Sequence, residues 1–414
     1  MRRYLAYILL FLIKLPLQAD HIIMCHDDSV SNGMIHKVWG FGADVRGAYS
    51  FPSFKDDVLT DCLDDSHAVK ESFVGSLHLK YGFGFDSSND IGKRWAGVVQ
   101  GVGTGIFIPG YPKATGVPVA LYFYQGAPIV WLRKNLSLDY EWNFGISAGW
   151  KPCDGHTAKS TLIVGSSCNA FINLGIGFRW IVSRNLSITA GLDLSHFSNG
   201  NTSFPNPGVN TAGVRIGINR YLGSPAGSTP FNSLNDDFIP GFSYDLTMYG
   251  AWRRRVYRGG EKPLLLDGHF PVAGISFAPM YDFRRWFRAG ISVDFQYDHS
   301  TDLKRHYLSG TTAEDMRFSH IPFFSQICGG VAARAELAMP IFSVNVGIGY
   351  NIFGPEETMA SYQMANLKVY VTQGLYINIG YQLLNFQKQN NLMLGLGYSF
   401  NNSRGKETTI AGIL

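Results

Sequence analysis

The sequence predicts an all-β protein that crosses a membrane as an antiparallel transmembrane β-barrel. Charged residues make up only 16% of the 414 residues, aromatic residues make up 14%, and glycine occurs 47 times. Low charge with abundant aromatic residues is typical of a barrel whose apolar outer band is flanked by aromatic girdles. The formal net charge of +4 gives no indication of a nucleic-acid partner.

About sixteen segments alternate apolar and polar residues, which is the pattern of strands with one apolar face. The expected architecture is one barrel of about 14–16 strands, with two eight-stranded barrel-like halves as the alternative. The predicted strands cover residues 38–50, 70–85, 92–108, 117–134, 138–150, 170–182, 185–198, 210–222, 241–254, 269–282, 286–298, 326–338, 341–353, 364–372, 375–385 and 391–400.

The N-terminus has the pattern of a cleaved secretory signal peptide. Residues 1–3 are basic at two positions, residues 4–13 are apolar, and residues 17–19 end in the small residue expected before a cleavage site. We therefore expect export to the outer membrane of a Gram-negative cell. The predicted organisation is a signal peptide (1–19), an N-terminal lead (20–37), a first barrel half (38–222), a connector (223–240), a second barrel half (241–402) and a C-terminal tail (403–414).

Short and long connections alternate along the chain, and this alternation orients the barrel. Bacterial outer-membrane barrels have short periplasmic turns and longer external loops. Short connections such as 182–185 are therefore expected in the periplasm, and the strand 185–198 runs outward. The connector 223–240 is long yet periplasmic, so it either joins two halves of one barrel or separates two small barrels.

Three polar residues converge where two predicted strands meet the external loop. The even positions of the strand 185–198 are apolar up to Leu194 and then reach His196 and Ser198. Asn210 begins the apolar face of the next strand, so antiparallel pairing brings it to the same face. A serine hydroxyl needs a nearby base to become a nucleophile, and a third polar group can orient that base. His196, Ser198 and Asn210 are thus candidate catalytic residues that face the lipid of the outer leaflet.

The segment 196–200, read HFSNG, is followed by PNPG at residues 205–208 and then by Asn210. This pattern resembles the lipid A 3-O-deacylase family of outer-membrane β-barrels, best over residues 38–222. The resemblance implies that Ser198 is the nucleophile and His196 the general base. It also implies that Asn199, Gly200 and Asn206 position the substrate or the oxyanion. The expected activity is the removal of an ester-linked 3-hydroxyacyl chain from lipid A. At residue 210 the family carries a glutamate, whereas this sequence has an asparagine.

Outer-membrane phospholipase A provides an alternative, because it also uses H-x-S-N-G with an asparagine at the same offset. Its tryptophan before that asparagine is Val209 here, and its loop lacks the P-N-P-G pattern. A phospholipid substrate and calcium would follow from this alternative, whereas the deacylase resemblance implies no cofactor and no metal. A third alternative is a non-enzymatic porin or structural barrel, because no catalytic group of residues is evident in 241–402 and a sixteen-stranded barrel can enclose a channel.

Two further features leave their interpretation open. Cys153 and Cys168 lie at the two ends of one predicted external loop, where a disulfide and two free thiols are both compatible with the sequence. The basic run at residues 253–255 is expected to be solvated or to face lipopolysaccharide phosphate. The oligomeric state is not predicted.

Overall fold

Two eight-stranded antiparallel barrels follow one another along the chain in a computed structural model. The structure describes residues 37–51, 73–85, 97–152, 164–204, 208–222, 239–257, 264–284, 286–310, 312, 314–386 and 388–401. Asn206, Cys153, the signal peptide and most of the connector therefore lie outside the described residues. Over those ranges, the structure contains no helix with the length and apolar character needed to cross a membrane.

The first barrel closes because its last strand pairs with its first. Pairing runs from Gly40 opposite Tyr221 to Phe51 opposite Asn210. A four-residue helix, α1 (Pro112–Thr115), lies in the connection between the third and fourth strands. The strands are β1 (Lys37–Phe51), β2 (Phe73–Phe85), β3 (Val99–Pro109), β4 (Gly116–Arg133), β5 (Leu136–Trp150), β6 (Cys168–Ser183), β7 (Leu186–Ser198) and β8 (Val209–Tyr221).

The second barrel closes in the same way, because its last strand pairs with its first from Leu394 opposite Gly250 to Phe400 opposite Tyr244. The remaining strands are β9 (Gly241–Arg253), β10 (Val256–Tyr257), β11 (Leu264–Leu265), β12 (Phe270–Arg284), β13 (Phe287–Asp298), β14 (Tyr307–Ser309), β15 (Arg317–Phe318), β16 (Ile327–Ala338), β17 (Phe342–Phe353), β18 (Ser361–Tyr370), β19 (Leu375–Leu384) and β20 (Lys388–Phe400). The four short strands form two separate hairpins, and two 3-10 helices, Phe323–Gln326 and Glu356–Thr358, lie in the loops.

The all-β prediction is confirmed, and each of the sixteen predicted segments overlaps a barrel strand. The preferred arrangement, one barrel of 14–16 strands, is wrong, and the alternative of two eight-stranded barrels is the one observed. Alternation of apolar and polar residues shows which face of a strand is buried but not which strand closes the sheet. An eight-stranded barrel has an interior that side chains alone can fill.

A network of buried charges fills the interior of the first barrel. Lys80 lies 2.7 Å from both Asp44 and Glu141, and Arg46 lies 3.0 Å from Asp193. Arg215 contacts Glu141 at 2.8 Å. Removing one member of a buried ion pair leaves an uncompensated charge, which is why such networks hold an interior in one arrangement.

The second barrel contains a similar network. Lys368 lies 2.7 Å from Glu336, which also contacts Arg288 at 2.8 Å. Arg334 donates to Asp294 at 3.0 Å. Arg253 is also buried here, against Asp298 and Ser300, so the expectation that it is solvated is wrong. Side chains, rather than an open channel, occupy the described interior of each barrel.

The two barrels touch on their outer walls and belong to one compact unit of the chain. Near the short turn between β16 and β17, Phe342 packs on Trp142 and Phe123 with ring centroids 5.8 and 5.3 Å apart. The backbone N–H of Ile341 donates to Gln100 Oε1 at 3.4 Å. Gln100 lies on the outer face of β3 and yet is fully buried, because the turn of the second barrel covers it.

Candidate active site

The end of β7 carries two of the predicted catalytic residues on the outer face of the first barrel. Along β7, Leu192 and Leu194 are exposed and Asp193 and Ser195 are buried, so the even positions face outward. His196 continues this outward face and is half-buried. Ser198 shares the parity but is only 7% exposed, compared with 55% for Leu194. The outer face is therefore covered at the point where the candidate nucleophile lies.

The hairpin between β7 and β8 brings His196 and Asn210 into direct contact. The two residues are partners across the strand pair, and His196 Nδ1 lies 2.7 Å from Asn210 Oδ1. An amide oxygen can only accept a hydrogen bond, so Nδ1 carries the proton and donates it. This arrangement leaves His196 Nε2 as the basic nitrogen, which is the tautomer a general base needs.

Ser198 ends β7, two residues beyond His196, at a Cα separation of about 7 Å for an extended strand. The backbone N–H of Gly200 donates to Ser198 Oγ at 3.2 Å. A backbone N–H beside a nucleophilic oxygen is the kind of donor that stabilises the oxyanion of acyl transfer. Gly200, for which the sequence resemblance implies a positioning role, thus has its backbone N–H directed at the side chain of Ser198.

A tight turn after Ser198 holds this donor in place. The carbonyl oxygen of Asn199 accepts from the backbone N–H of Thr202 at 3.3 Å and from its hydroxyl at 2.9 Å. Asn199 Oδ1 also accepts from the backbone N–H of Ser203 at 3.5 Å. Gly200 has φ of +63° and Asn201 has φ of +66°. Asn199 therefore shapes the turn, and a glycine suits the left-handed position next to it.

Gly208 supports the imidazole from the other side of the loop, and sequence reasoning did not select it as a site residue. Its φ is +72°, and a Cβ built on it would lie 2.8 Å from His196 Cε1. Only glycine leaves the room that the imidazole ring occupies. The available signal was the PNPG pattern itself, because its glycine directly precedes the strand that carries Asn210.

Neither a metal site nor a disulfide accompanies these residues in the part of the chain that the structure describes. No cluster of three or more His, Cys, Asp or Glu side chains suitable for a metal ion occurs in the described ranges. Cys168 at the start of β6 is exposed and carries a free thiol. His196, Ser198 and Asn210 are therefore the candidate reactive side chains at this end of the first barrel.

Solved structures of outer-membrane barrels resemble parts of this chain. The crystal structure of the outer-membrane enzyme PagL is 13% identical, with a TM-score of 0.30, over 42% of this chain and 97% of that one. Neisserial surface protein A is 9% identical, with a TM-score of 0.29, over 44% of this chain and 96% of that one. TM-scores this low carry no conclusion about function. Among curated proteins, none matches this chain.

Two family models match the chain, one in each barrel. The lipid A 3-O-deacylase (PagL) model matches residues 77–219, which include His196, Ser198 and Asn210. The model for the C-terminal domain of acyloxyacyl hydrolase matches residues 242–402, where sequence reasoning had found no relationship. The matches together span well over half of the chain and confirm the resemblance drawn from the HFSNG and PNPG motifs. The chain therefore belongs to the lipid A 3-O-deacylase and acyloxyacyl hydrolase family of outer-membrane β-barrels.

Proposed function

We propose that this protein is an outer-membrane serine esterase that removes an ester-linked 3-hydroxyacyl chain from lipid A. The hydrogen bond of 2.7 Å between His196 Nδ1 and Asn210 Oδ1 carries the proposal. It fixes the histidine tautomer beside a serine at the external rim of a barrel of the deacylase family. The substrate is proposed to be lipopolysaccharide of the outer leaflet, which lies at the level of this rim.

In the first half of the reaction, Ser198 Oγ attacks the carbonyl carbon of the ester. The serine proton passes to His196 Nε2, and the negative charge moves to the carbonyl oxygen. The backbone N–H of Gly200 is proposed to donate to that oxygen. When the ester bond breaks, the sugar oxygen takes the proton from His196, and the acyl chain remains on Ser198.

In the second half, water attacks the acyl-enzyme with His196 again acting as the base. The 3-hydroxy fatty acid leaves, and Ser198 regains its proton. Asn210 keeps Nδ1–H directed at its amide oxygen throughout, so Nε2 faces the serine in both halves. The reaction needs no cofactor, and we propose that none is used.

A phospholipase is the second candidate function, and the neutral third residue favours it. Outer-membrane phospholipase A has an asparagine where the deacylase family has a glutamate, and Asn210 contacts His196 directly. The chemistry of Ser198 and His196 would be the same, with a phospholipid ester as substrate and calcium as an expected requirement. The two candidates are therefore separated by product and not by mechanism.

The proposed location follows from the same reasoning. The site is proposed to lie at the external rim of the barrels, and residues 1–19 are proposed to be removed as a signal peptide on export. N-terminal sequencing of the mature protein from the outer-membrane fraction tests this. A first residue of Asp20 is expected, and retention of Met1 would contradict it.

The experiment that tests the function compares three forms of the purified protein by mass spectrometry of lipid A and phospholipids. Wild type is expected to remove one hydroxyacyl chain from lipid A. Ser198→Ala is expected to lower the rate on the order of 10³-fold or more, because it removes the nucleophile of a coupled unit. Ser361→Ala is the matched control, since Ser361 begins β18 in the second barrel and its hydroxyl bonds to Asn385 and Gln363.

Three outcomes separate the candidate functions. Loss of a hydroxyacyl chain that Ser198→Ala abolishes supports the deacylase. Lysophospholipid formation that depends on Ser198 and on calcium supports the phospholipase instead. An unchanged lipid pool with and without calcium, together with steady conductance in planar bilayers, contradicts both and favours a pore.

A further inference from the structure

The second barrel reaches the candidate active site at the external rim. A Cβ built on Gly200 would overlap the side chain of Leu392 in β20. The carbonyl oxygen of Asn201 accepts a hydrogen bond of 2.8 Å from the backbone N–H of Arg254, which follows β9. These contacts account for the small exposure of Ser198. The site is therefore bounded by both barrels and not by lipid alone.

Below this contact, the outer wall of the first barrel is apolar and exposed. Ile172 is the strand partner of His196, and Leu174 is the strand partner of Trp142. Leu174 is 57% exposed, although Trp142 next to it packs on Phe342 of the second barrel. The barrels thus touch near the periplasmic turn and again at the rim. Between the two contacts lies an apolar surface that begins at the site.

The wall of the second barrel that carries Leu392 is largely apolar, and a tyrosine lies next to Leu392 on it. Leu392 lies on the outer face of β20, and its partner across the strand pair is Tyr381 of β19. Tyr381 also faces outward, and yet its hydroxyl oxygen is buried with no hydrogen-bond partner among the described residues. A buried hydroxyl without a partner is unfavourable, so a ligand that pairs with it binds favourably.

We infer that this outer wall of the second barrel selects the substrate, with Leu392 contacting the acyl chain and the Tyr381 hydroxyl binding its 3-hydroxyl group. The inference rests on the proposed function. The 3-hydroxyl lies two carbons from the ester carbonyl that Ser198 attacks, so a polar group is needed close to the rim. The apolar remainder of the chain then extends along Ile172 and Leu174 towards the periplasmic contact.

The experiment measures discrimination between two esters of equal chain length. Purified protein in micelles hydrolyses p-nitrophenyl 3-hydroxymyristate and p-nitrophenyl myristate, and kcat/KM is determined for each. Wild type is expected to prefer the hydroxylated ester, and Tyr381→Phe is expected to lower that preference about tenfold or more. Tyr398→Phe is the control, because Tyr398 lies on the same outer wall at the other end of β20 and is exposed.

A second pair of variants examines chain length. Leu392→Trp narrows the space beside Gly200, so the ratio of kcat/KM for p-nitrophenyl myristate to that for p-nitrophenyl butyrate should fall about tenfold. Leu396→Trp, on the same face of β20 and 57% exposed, should keep the wild-type ratio. Equal loss on both chain lengths would mean that Leu392 only supports the fold.

The failure of this inference is distinguishable from the failure of the proposed function. If wild type and Ser198→Ala hydrolyse all three esters equally, the proposed function fails and this inference fails with it. If Ser198→Ala is inactive while Tyr381→Phe keeps the full hydroxyl preference, the esterase stands and the role of the second barrel is overturned. Loss of the preference in Tyr398→Phe would also overturn it, because that residue lies away from the site.

Discussion

The last two strands of each barrel present different outward-facing residues near the place where the two barrels meet. In the first barrel, the outward pair near the external rim is His196 and Asn210; in the second, it is Tyr381 and Leu392. The seventh and eighth strands of each barrel form these pairs. One pair thus joins the proposed base to its orienting group, and the other joins a leucine to a tyrosine.

The interiors of the barrels, by contrast, are alike. Each encloses a lysine between two carboxylates: Lys80 with Asp44 and Glu141 in the first barrel, and Lys368 with Asp245 and Glu336 in the second. Both barrels therefore fill their interiors with a similar charge network, and this network does not explain a functional difference between the two barrels. The difference in chemistry lies on the outer surface at the rim.

Replacing one histidine by alanine in each barrel is expected to give the largest difference in activity between two variants. His196→Ala removes the base, and deacylation should fall on the order of 10³-fold or more. His299→Ala is the matched change in the second barrel, because His299 follows β13 at the external end and contacts Tyr297 at 2.9 Å. Its activity should remain within a few-fold of wild type in the mass-spectrometric assay. A large loss of deacylation in His299→Ala would mean that the second barrel also takes part in the reaction. The proposed difference between the two barrels would then be wrong.

The shared interior predicts equal losses of stability. Lys80→Met and Lys368→Met each take one cation away from two buried carboxylates, which keep only their arginine partners. Removing one partner of a buried ion pair costs about 3–5 kcal/mol. Denaturant unfolding in detergent, followed by gel mobility without heating, measures the cost. Tyr398→Phe serves as a surface control. A change below about 1 kcal/mol in either lysine variant would show that its network does not hold that barrel together.

Much of the fold could be predicted because it depends on local patterns. The alternation in 138–150 and 185–198 identifies strands directly, and the hairpin of His196 and Asn210 follows from parity within one segment. The closure of β8 onto β1 depends on pairing between residues more than a hundred positions apart, on which alternation carries no information. Alternation therefore identified the strands but not how they close, and the preferred prediction of a single barrel was wrong.

The parts of the site that could not be predicted come from the second barrel. Ser198 and Gly200 were recognisable from their motif, but Leu392 has an ordinary place in an alternating strand. Its contact with Gly200 arises from how two closed barrels lie side by side. Arg253 was misjudged for a related reason, since its ion-pair partner Asp298 lies two strands away around the barrel and is distant in sequence.

The smallest expected effect concerns the residue in which this chain departs from the deacylase pattern. Asn210→Ala leaves His196 and Ser198 in place but removes the acceptor for Nδ1–H, so the ring loses its fixed tautomer and orientation. We expect a loss of about 10- to 100-fold in kcat, less than for Ser198→Ala, because the base and nucleophile persist. Asn210→Glu retains an acceptor and adds a charge that stabilises the imidazolium, so it should keep more activity than Asn210→Ala. Steady-state rates on lipid A measure both variants.

If Asn210→Ala is as inactive as Ser198→Ala, Asn210 acts in the chemistry itself and the assigned order of importance is wrong. If Asn210→Glu is the less active of the two, the added charge conflicts with a site that evolved around a neutral amide, which favours the phospholipase-like arrangement.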